Sequence, residues 1–212
     1  MIQIHVVNRD NRKLYEYLFD DYFRLRYEIY VKERGWKALE RPDSRDIDQF
    51  DTDAATYLFA LEGNRLVGGL RVVPTTAPTL MSDVFPQLAL RGPIRRDDVC
   101  ELTRIFVIRE RRGEQSQPRV EHIILCAAME YGVAQCISQY TIVMEAWWIR
   151  RLQEQCWRIT PLGLPVEIDG AATVGVTADV NSETVANLRA KRGIEGSILV
   201  WRGLDRPAMP AA

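Results

Sequence analysis

The sequence is poor in the residues that build metal centres and disulfide frameworks. Its 212 residues include only two histidines and four cysteines, and no two cysteines form a CxxC pair. The HExxH spacing of zinc enzymes is absent, and a Ser-His-Asp triad would have to use His5 or His122. We therefore predict no metal site, and we interpret the four scattered cysteines as reduced thiols of a cytoplasmic protein.

Long apolar runs and an excess of either charge are also missing. No run approaches the roughly 20 apolar residues of a membrane span, and the first residues lack the charged and apolar segments of a signal peptide. The 28 Lys and Arg residues nearly balance the 29 Asp and Glu residues, which leaves a formal net charge of −1. So small a net charge creates no global field for nucleic acid or an anionic membrane, and we predict that the protein binds neither.

The hydrophobic pattern predicts a single domain over residues 1–212, because no repeat, low-complexity tract or linker divides the chain. Predicted strands cover residues 2–7, 56–61, 66–73, 99–108, 140–146, 171–180 and 197–203. Predicted helices cover residues 11–34, 118–137, 147–156 and 182–192, with at most a short helix near 81–88. Strands separated by helices around a mixed sheet place the fold in the α/β or α+β class.

Acidic residues are concentrated in a polar loop over residues 37–53. Asp48, Asp51 and Asp53 are either solvated loop acids or carboxylates that bind a cation, such as an ammonium or sulfonium group. Asp46 extends the alternation of acids, but the glycine and the terminal Glu of an EF-hand loop are missing. Calcium is therefore set aside, and the other two interpretations remain open.

Three of the charged residues within predicted strands are candidates for a functional site. Arg71 follows Gly68-Gly69, where the missing side chains permit close approach of another backbone. Glu101 and Arg104 interrupt an apolar strand, where charges are costly unless they are paired or functional. In a regular strand these two side chains point to opposite faces, so a bulge or twist is needed if both reach one site. A structural ion pair and a catalytic role are equally open.

Aromatic and basic residues supply further candidates. Arg26 and Tyr30 are one helical turn apart, and Tyr30 and Trp36 either pack together or stack on an adenine or a cation. The basic loop at residues 109–118, with Arg109, Arg111 and Arg112, is either a solvated turn or a phosphate-binding loop before a helix N-terminus.

Eight of these residues occur in the order of a known motif. The acyl-homoserine-lactone synthases, which make bacterial quorum-sensing autoinducers, carry R-x-x-x-[FY], a Trp six residues on, D-x-x-D, G-x-x-R and E-[LS]-[ST]-R. The chain resembles this family over roughly residues 20–165. The matching residues are Arg26, Tyr30, Trp36, Asp48, Asp51, Arg71, Glu101 and Arg104. Tyr30 stands where Phe is common and Ile105 where an aromatic residue often follows the arginine, which implies a different pocket shape.

The resemblance implies a GNAT-like three-layer fold, in which helices flank both faces of a central, mixed and twisted sheet. It also implies an acyltransferase with two substrates and no cofactor. The amino group of S-adenosyl-L-methionine attacks an acyl thioester on coenzyme A or acyl carrier protein, and the methionine carboxylate then displaces methylthioadenosine to close the lactone. The rivals are a GNAT acyltransferase acting on another amine and a non-catalytic module that binds S-adenosyl-L-methionine.

The resemblance also assigns roles to the matching residues. Arg71 or Arg104 would hold the carboxylate of S-adenosyl-L-methionine, and Glu101, directly or through a water, would accept the amine proton. The remaining five would bind S-adenosyl-L-methionine, with the two carboxylates next to its positive charges: Arg26, Tyr30, Trp36, Asp48 and Asp51.

The acyl pocket is predicted between the 99–108 strand, the 118–137 helix and the 140–148 segment. Residues of these types more often belong to a core, and the candidates for its lining are Phe85, Thr103, Ile105, Met144, Trp147 and Trp148. Several are bulky, which favours a short, branched or flat acyl group. Five arginines could bind either an acidic carrier protein or the phosphates of coenzyme A: Arg109, Arg111, Arg112, Arg150 and Arg151. The compact pocket favours coenzyme A as the acyl donor.

Overall fold

In the described part of the chain, the apolar strands pair into one mixed sheet of nine strands. A computed structural model describes residues 2–113 and 118–207 of the chain. The strands are β1 (Ile2–Val7), β2 (Thr56–Glu62), β3 (Arg65–Pro74), β4 (Val99–Val107), β5 (Gln139–Glu145), β6 (Ile159–Pro161), β7 (Val166–Ile168), β8 (Ala171–Asp179) and β9 (Leu199–Val200). Their spatial order is β6-β8-β5-β4-β3-β2-β1-β9, and β7 pairs with β8. The pairs β1/β9 and β4/β5 are parallel and the others antiparallel, which confirms the predicted mixed sheet.

Helices occupy the connections between the strands. The α-helices are α1 (Glu16–Tyr27), α2 (Leu80–Asp83), α3 (Val120–Ala134), α4 (Trp148–Gln153) and α5 (Ser182–Arg192). The predicted helix 11–34 consists of three successive helical forms, because a 3-10 turn (Arg12–Tyr15) precedes α1 and a π-helical segment (Glu28–Glu33) follows it. Asn181 caps α5, because it accepts a hydrogen bond from the backbone N–H of Thr184 at 2.8 Å, and Gly193 ends the helix with a φ of 63°.

Alternate residues of β2 show how the sheet divides the core into two clusters. Leu58 and Ala60 pack in the cluster that includes α3, whereas Tyr57 and Phe59 pack in an aromatic cluster with α1. The sheet therefore has helices on both faces. This arrangement confirms the expected three layers.

The two central parallel strands separate from each other part-way along their length. β4 and β5 pair only from Val99↔Gln139 to Leu102↔Ile142, although β4 continues to Val107 and β5 to Glu145. Beyond that point neither strand fills the space between them. The result is an opening near the middle of the sheet that connects its two faces.

The sequence missed two short edge strands and overestimated the last one. The Pro- and Gly-rich stretch 160–170, in which no strand was predicted, contains β7 and most of β6, because three-residue strands carry too few side chains to show an alternating pattern. The predicted strand 197–203 shortens to the two residues of β9. Within residues 2–113 and 118–207, no helix is long and apolar enough to cross a membrane.

Candidate active site

A charged cluster lies beside the opening between β4 and β5. It consists of three arginines and three aspartates with short ion-pair distances and with side chains at most 10% exposed: Arg26, Arg71, Arg104, Asp46, Asp48 and Asp51. The arginines come from α1, β3 and β4, and the aspartates come from the loop between α1 and β2. The sequence left open whether Asp48 and Asp51 are solvated, and the structure shows both of them buried and paired.

Arg71 is at the centre of this cluster. Its two Nη atoms donate to the two carboxylate oxygens of Asp48 at 2.6 and 3.0 Å, and its Nη1 also lies 2.7 Å from Asp51. Its Nε donates to the hydroxyl of Thr103 at 3.1 Å. Arg71 is fully buried, so its fork is committed to protein acceptors and does not reach the cavity described below. The expectation that Arg71 holds a substrate carboxylate is therefore not supported.

Arg26 and Arg104 complete the pairing. Arg26 donates to Asp46 at 2.9 Å and to Asp51 at 2.8 Å from a fully buried position. Arg104 donates to both oxygens of Asp46, at 2.7 and 3.2 Å, and lies 3.0 Å from Asp48. Because equal numbers of opposite charges meet here, each desolvated charge has a partner.

The arginines keep the aspartates ionised despite burial. Burial alone would raise the pKa of Asp51, but the neighbouring Arg26 and Arg71 hold that pKa well below its usual range. Burial likewise opposes ionisation of Asp46, and Arg104 and Arg26 lower the pKa of that carboxyl. The cluster is a fixed set of charges in a site from which water is largely excluded.

A β-bulge delivers Arg104 to this cluster. The register between β3 and β4 shifts between Gly69↔Phe106 and Arg71↔Thr103, so that two residues of β4 lie opposite one residue of β3. Arg104 has a φ of 54°, a left-handed conformation that is rare for an arginine. The bulge that was required for Glu101 and Arg104 to reach one site is present, and it brings Thr103 and Arg104 to the same side despite their adjacent positions in the strand. Whether Glu101 shares the site with Arg104 stays a prediction.

The Glu101 carboxylate accepts hydrogen bonds from the N-terminus of α2. Its two oxygens accept the backbone N–H groups of Leu80 and Met81, at 2.7 and 2.8 Å, which attaches α2 to the sheet. Burial raises the pKa of Glu101 to about 7, although these two hydrogen bonds and Arg71 act in the opposite direction. Such a pKa suits a proton acceptor near neutral pH. Glu101 does not line the cavity, so its role as the base remains a prediction.

A cavity of about 590 Å³ passes through the opening in the sheet. Asp48 and Arg104 contribute charges to its wall, while Leu102, Leu125 and Leu152 belong to the apolar cluster around α3. Nine of the predicted site residues line it: Tyr30, Trp36, Asp48, Phe85, Thr103, Arg104, Ile105, Met144 and Trp148. One continuous space therefore joins a charged half to an apolar half.

Tyr30 and Trp36 form one wall of the charged half. Their rings stack with centroids 4.9 Å apart and planes 25° from parallel. The Tyr30 hydroxyl donates to the carbonyl oxygen of Ile105 at 2.6 Å, which fixes the ring against the bulged part of β4. The Arg104 guanidinium lies 5.4 Å from the Tyr30 centroid, within the range of a cation–π contact. The rings therefore pack on each other and also line the cavity, and their stacking on an adenine stays a prediction.

Five predicted site residues lie outside the larger cavity. Arg26, Asp51 and Arg71 are buried behind Asp48 and Arg104, and Glu101 lies under α2. Trp147 is 51% exposed and lines the smaller cavity described below, not the larger one, so its place in the acyl pocket stays a prediction. α4 begins immediately after Trp147, and the side chain of Trp148, not that of Trp147, reaches the larger cavity.

A smaller cavity of about 280 Å³ adjoins the larger one and shares Arg34, Ile105 and Trp148 with it. Five arginines line it: Arg34, Arg111, Arg112, Arg119 and Arg151. Arg119 is the residue that precedes α3, and its Nε has no hydrogen-bond partner among the described residues. The predicted Arg109 and Arg150 do not line this cavity, because both side chains are more than 80% exposed. Residues 114–117 of the basic loop lie outside the described residues.

Sequence reasoning missed several residues of the site. Asp46 pairs with two of the three arginines, and the only signal for it was its place two residues before Asp48. Leu125, Leu152 and Trp157 line the apolar half, but in the sequence they are indistinguishable from core residues. Among residues 2–113 and 118–207, no group of acidic, His or Cys side chains is arranged to hold a metal ion.

Comparison with known proteins relates this site to one family. The family model described as autoinducer synthase matches residues 10–188 of the chain. An isovaleryl-homoserine lactone synthase from Bradyrhizobium diazoefficiens is 41% identical over 192 residues, which is 90% of this chain and 86% of that protein.

Solved structures show the same relationship. The CoA-dependent acyl-homoserine lactone synthase BjaI, determined with SAM and isopentyl-CoA, has a TM-score of 0.90 at 39% identity and covers 98% of this chain and 95% of its own. The CoA-dependent synthase MesI has a TM-score of 0.85 at 41% identity, with 93% and 98% covered. A Lactobacillus plantarum protein assigned as an N-acetyltransferase is 21% identical, with a TM-score of 0.56 over 85% of this chain and 99% of its own, which indicates the GNAT-like fold alone.

Proposed function

The chain belongs to the autoinducer synthase family of acyl-homoserine-lactone synthases, and we propose that it acylates S-adenosyl-L-methionine with a short, branched or flat acyl group carried by coenzyme A. The observation that carries this proposal is the single cavity with a charged half and an apolar half, which meet where β4 and β5 separate. The proposed reaction requires two substrates and no cofactor. Its products are an N-acyl-homoserine lactone, free coenzyme A, methylthioadenosine and a proton.

The charged half suits S-adenosyl-L-methionine. Its ammonium and sulfonium groups are cations, and the Asp48 carboxylate in the cavity wall attracts them. Arg104 also lines the cavity, and its Nε and Nη2 are held by Asp46 and Asp48. Its Nη1 has no partner among the described residues and can donate to the methionine carboxylate. Asp51, Arg26 and Arg71 act indirectly, because they fix Asp48 in place.

The opening between the strands suits the acyl transfer step. The amine loses a proton and attacks the thioester carbonyl, and the thiolate of coenzyme A leaves with a proton. Beyond Leu102, β4 has no pairing with β5 in the described structure, so backbone N–H groups on this edge can stabilise the developing oxyanion. Glu101, through a water, remains our candidate for the proton acceptor, since its pKa of about 7 matches the task.

The apolar half and the smaller cavity support the choice of donor. Bulky side chains such as Trp148, Trp157 and Met144 limit the room for a long acyl chain. The smaller cavity offers arginines to the phosphates of coenzyme A beside the N-terminus of α3, which also favours anions. Two related synthases of known structure are described as CoA-dependent.

The test is a donor panel. The purified protein is incubated with S-adenosyl-L-methionine and branched, straight and aromatic acyl groups, each presented on coenzyme A and on acyl carrier protein. Methylthioadenosine release is followed by chromatography, and the lactone is identified by mass spectrometry. If no donor leads to release of methylthioadenosine, the synthase assignment is wrong. If only acyl groups on the carrier protein are used, coenzyme A is not the donor. Arg119→Ala should raise the KM for acyl-CoA more than the KM for the matching acyl-pantetheine.

A further inference from the structure

Trp147 is a large aromatic side chain that lines the smaller of the two cavities and not the larger one. It is 51% exposed, whereas its neighbour Trp148 lines both cavities. An indole that is exposed on the open surface needs no explanation, but one in the wall of a cavity offers its ring to a ligand. The question is therefore which ligand group this ring would contact.

The Trp147 ring is held in place on one side only. It stacks on Trp148, with centroids 4.9 Å apart and planes 26° from parallel, and its Nε1 donates to the Glu145 carboxylate. The Arg151 guanidinium lies 5.9 Å from the Trp147 centroid but 5.0 Å from that of Trp148, which places it on the Trp148 side of the ring. The opposite face, called the outer face below, is therefore the one open to a ligand. A ring that is already fixed loses little entropy when a flat group stacks on it.

The wall around Trp147 is basic. Five arginines line the same cavity, against a single glutamate. That glutamate, Glu121, accepts hydrogen bonds from Arg151 through both of its oxygens. Helix α3 begins at Val120, between two residues of this wall, and its N-terminus also favours anions. An open aromatic face beside positive charges suits a ligand that carries both a flat ring and phosphates.

Both substrates of the proposed reaction carry an adenine, and two stacked aromatic pairs contribute to the two cavities. Tyr30 and Trp36 line the larger cavity, with Asp48, and do not line the smaller one. They are on the side proposed for S-adenosyl-L-methionine. Trp147 is on the side proposed for coenzyme A, whose adenine is its only aromatic ring and lies next to its phosphates. The second adenine is therefore matched to Trp147.

We propose that the outer face of Trp147 binds the adenine ring of coenzyme A, and that this contact makes the protein select acyl-CoA over an acyl group on carrier protein. The phosphopantetheine arm of a carrier protein has no adenine and gains nothing from this face, although its acyl group can enter the same pocket. This inference rests on the proposed function, and it identifies the residue that determines the donor at the same site.

Binding of adenosine 3′,5′-bisphosphate tests the contact without turnover. This compound has the adenine and two phosphates of coenzyme A but no thioester. We expect Trp147→Ala to weaken its binding about 10-fold, as measured by calorimetry, because one base–aromatic stack is lost. Trp147→Phe should keep most of the affinity, since its ring can still stack. Tyr17→Ala is the matched control, because it removes a similarly exposed ring that lies outside both cavities.

Two results of this titration overturn the inference. One is an equal affinity of the parent protein and Trp147→Ala, and the other is an equal loss of affinity in Trp147→Ala and Tyr17→Ala. Absence of binding to the parent protein at millimolar concentration overturns it as well.

Matched donors test the same contact during turnover. Acyl-4′-phosphopantetheine has the thioester and the acyl group of acyl-CoA but lacks the adenosine part. Trp147→Ala should lower the ratio of kcat/KM for acyl-CoA to kcat/KM for acyl-4′-phosphopantetheine about 10-fold, mainly through a higher KM for acyl-CoA. Loss of support for Trp148 would slow both donors alike, so the ratio isolates the adenine contact. An unchanged ratio overturns the inference, and so does a rise in the KM for S-adenosyl-L-methionine alone.

The two experiments separate this inference from the proposed function. If no donor leads to release of methylthioadenosine although Trp147→Ala weakens binding of the bisphosphate, the synthase assignment is wrong and the adenine contact stands. If acyl-CoA is used and Trp147→Ala changes neither the affinity nor the ratio, the synthase assignment stands and the role of Trp147 is wrong. Trp147 is half exposed, so its substitution should leave the fold intact, which thermal unfolding verifies. If Trp147→Ala does not fold, Trp147→Leu replaces it, because leucine keeps an apolar side chain without an aromatic face.

Discussion

Arg71 and Asp48 form a two-pronged ion pair, in which Nη1 and Nη2 of the arginine donate to the two carboxylate oxygens at 2.6 and 3.0 Å. Arg71 is fully buried and only 10% of the Asp48 side chain is exposed, so the pair connects the interior of the cluster to the cavity wall. The fork requires a planar guanidinium, which a lysine cannot replace.

Arg71→Lys should therefore destabilise the protein although the charge is retained. The lysine can satisfy only part of the contacts to Asp48, Asp51 and Thr103, and we expect a loss of about 2–3 kcal/mol, below the cost of removing the charge completely. Urea unfolding measures this loss. Arg150→Lys is the control, because its side chain is 88% exposed and the change should stay within about 0.5 kcal/mol. Equal unfolding midpoints for the two variants would show that the fork is not needed.

Asp48→Asn should weaken the binding of S-adenosyl-L-methionine. The neutral amide no longer attracts the ammonium and sulfonium groups, and it removes one carboxylate oxygen from the acceptors of Arg71 and Arg104. We expect the dissociation constant to rise about 10-fold or more, a change of about 1.4 kcal/mol, as measured by calorimetry. Asp53→Asn changes an exposed carboxylate of the same loop and should have little effect. An unaltered affinity of Asp48→Asn would remove Asp48 from the binding site.

Glu101→Gln should lower the acylation rate and change its pH dependence. With a pKa of about 7, Glu101 becomes a proton acceptor as the pH rises through neutrality, so the parent rate should rise through this range. The glutamine variant should lose this part of the profile and most of its turnover. Unchanged turnover, measured from pH 6 to 8 under single-turnover conditions, would exclude Glu101 from the mechanism.

The same substitution should also alter stability in a way that depends on pH. The pKa of Glu101 in the folded protein lies above its ordinary value of 4.5, so the folded state retains this proton after the unfolded chain has lost it. The contribution of Glu101 to stability is therefore fully present below pH 4.5 and is lost as the pH rises to about 7, by about 3 kcal/mol. Glu101→Gln should flatten this slope in urea unfolding, whereas Glu167→Gln, at an exposed position, should keep it.

The parts of the fold that the sequence predicted are those with a strong local signal. The apolar strands, the long helix α3 and the capped helix α5 each carry their pattern within one segment. The motif identified most residues of the charged cluster, because a motif can be recognised from the order of residues alone. The roles of the aspartates depend on their positions in three dimensions. Asp46 and Asp51 are both loop acids in the sequence, and the order of residues does not show that Asp48 lines the larger cavity while Asp51 is buried behind it. Which of Trp147 and Trp148 lines the larger cavity likewise depends on where α4 begins.

Gly68 is required by the close approach of β3 and β4 beside the bulge. A Cβ at this position would lie 2.7 Å from the carbonyl oxygen of Phe106 and 2.8 Å from the Cδ1 of Ile124, and the backbone contact cannot be relieved by a rotamer change. Gly68→Ala should therefore shift β4 and with it Arg104, which would destabilise the protein by about 1–3 kcal/mol and reduce turnover. Gly193→Ala is the control, because Gly193 has open space around it. An alanine there is disfavoured only by the φ of 63°, which should lower the stability by about 1 kcal/mol. We expect Gly193→Ala to lower the stability alone, and Gly68→Ala to lower the stability and raise the KM for S-adenosyl-L-methionine. This result would show that the bulge positions Arg104. Identical kinetic constants for the two variants would refute that dependence.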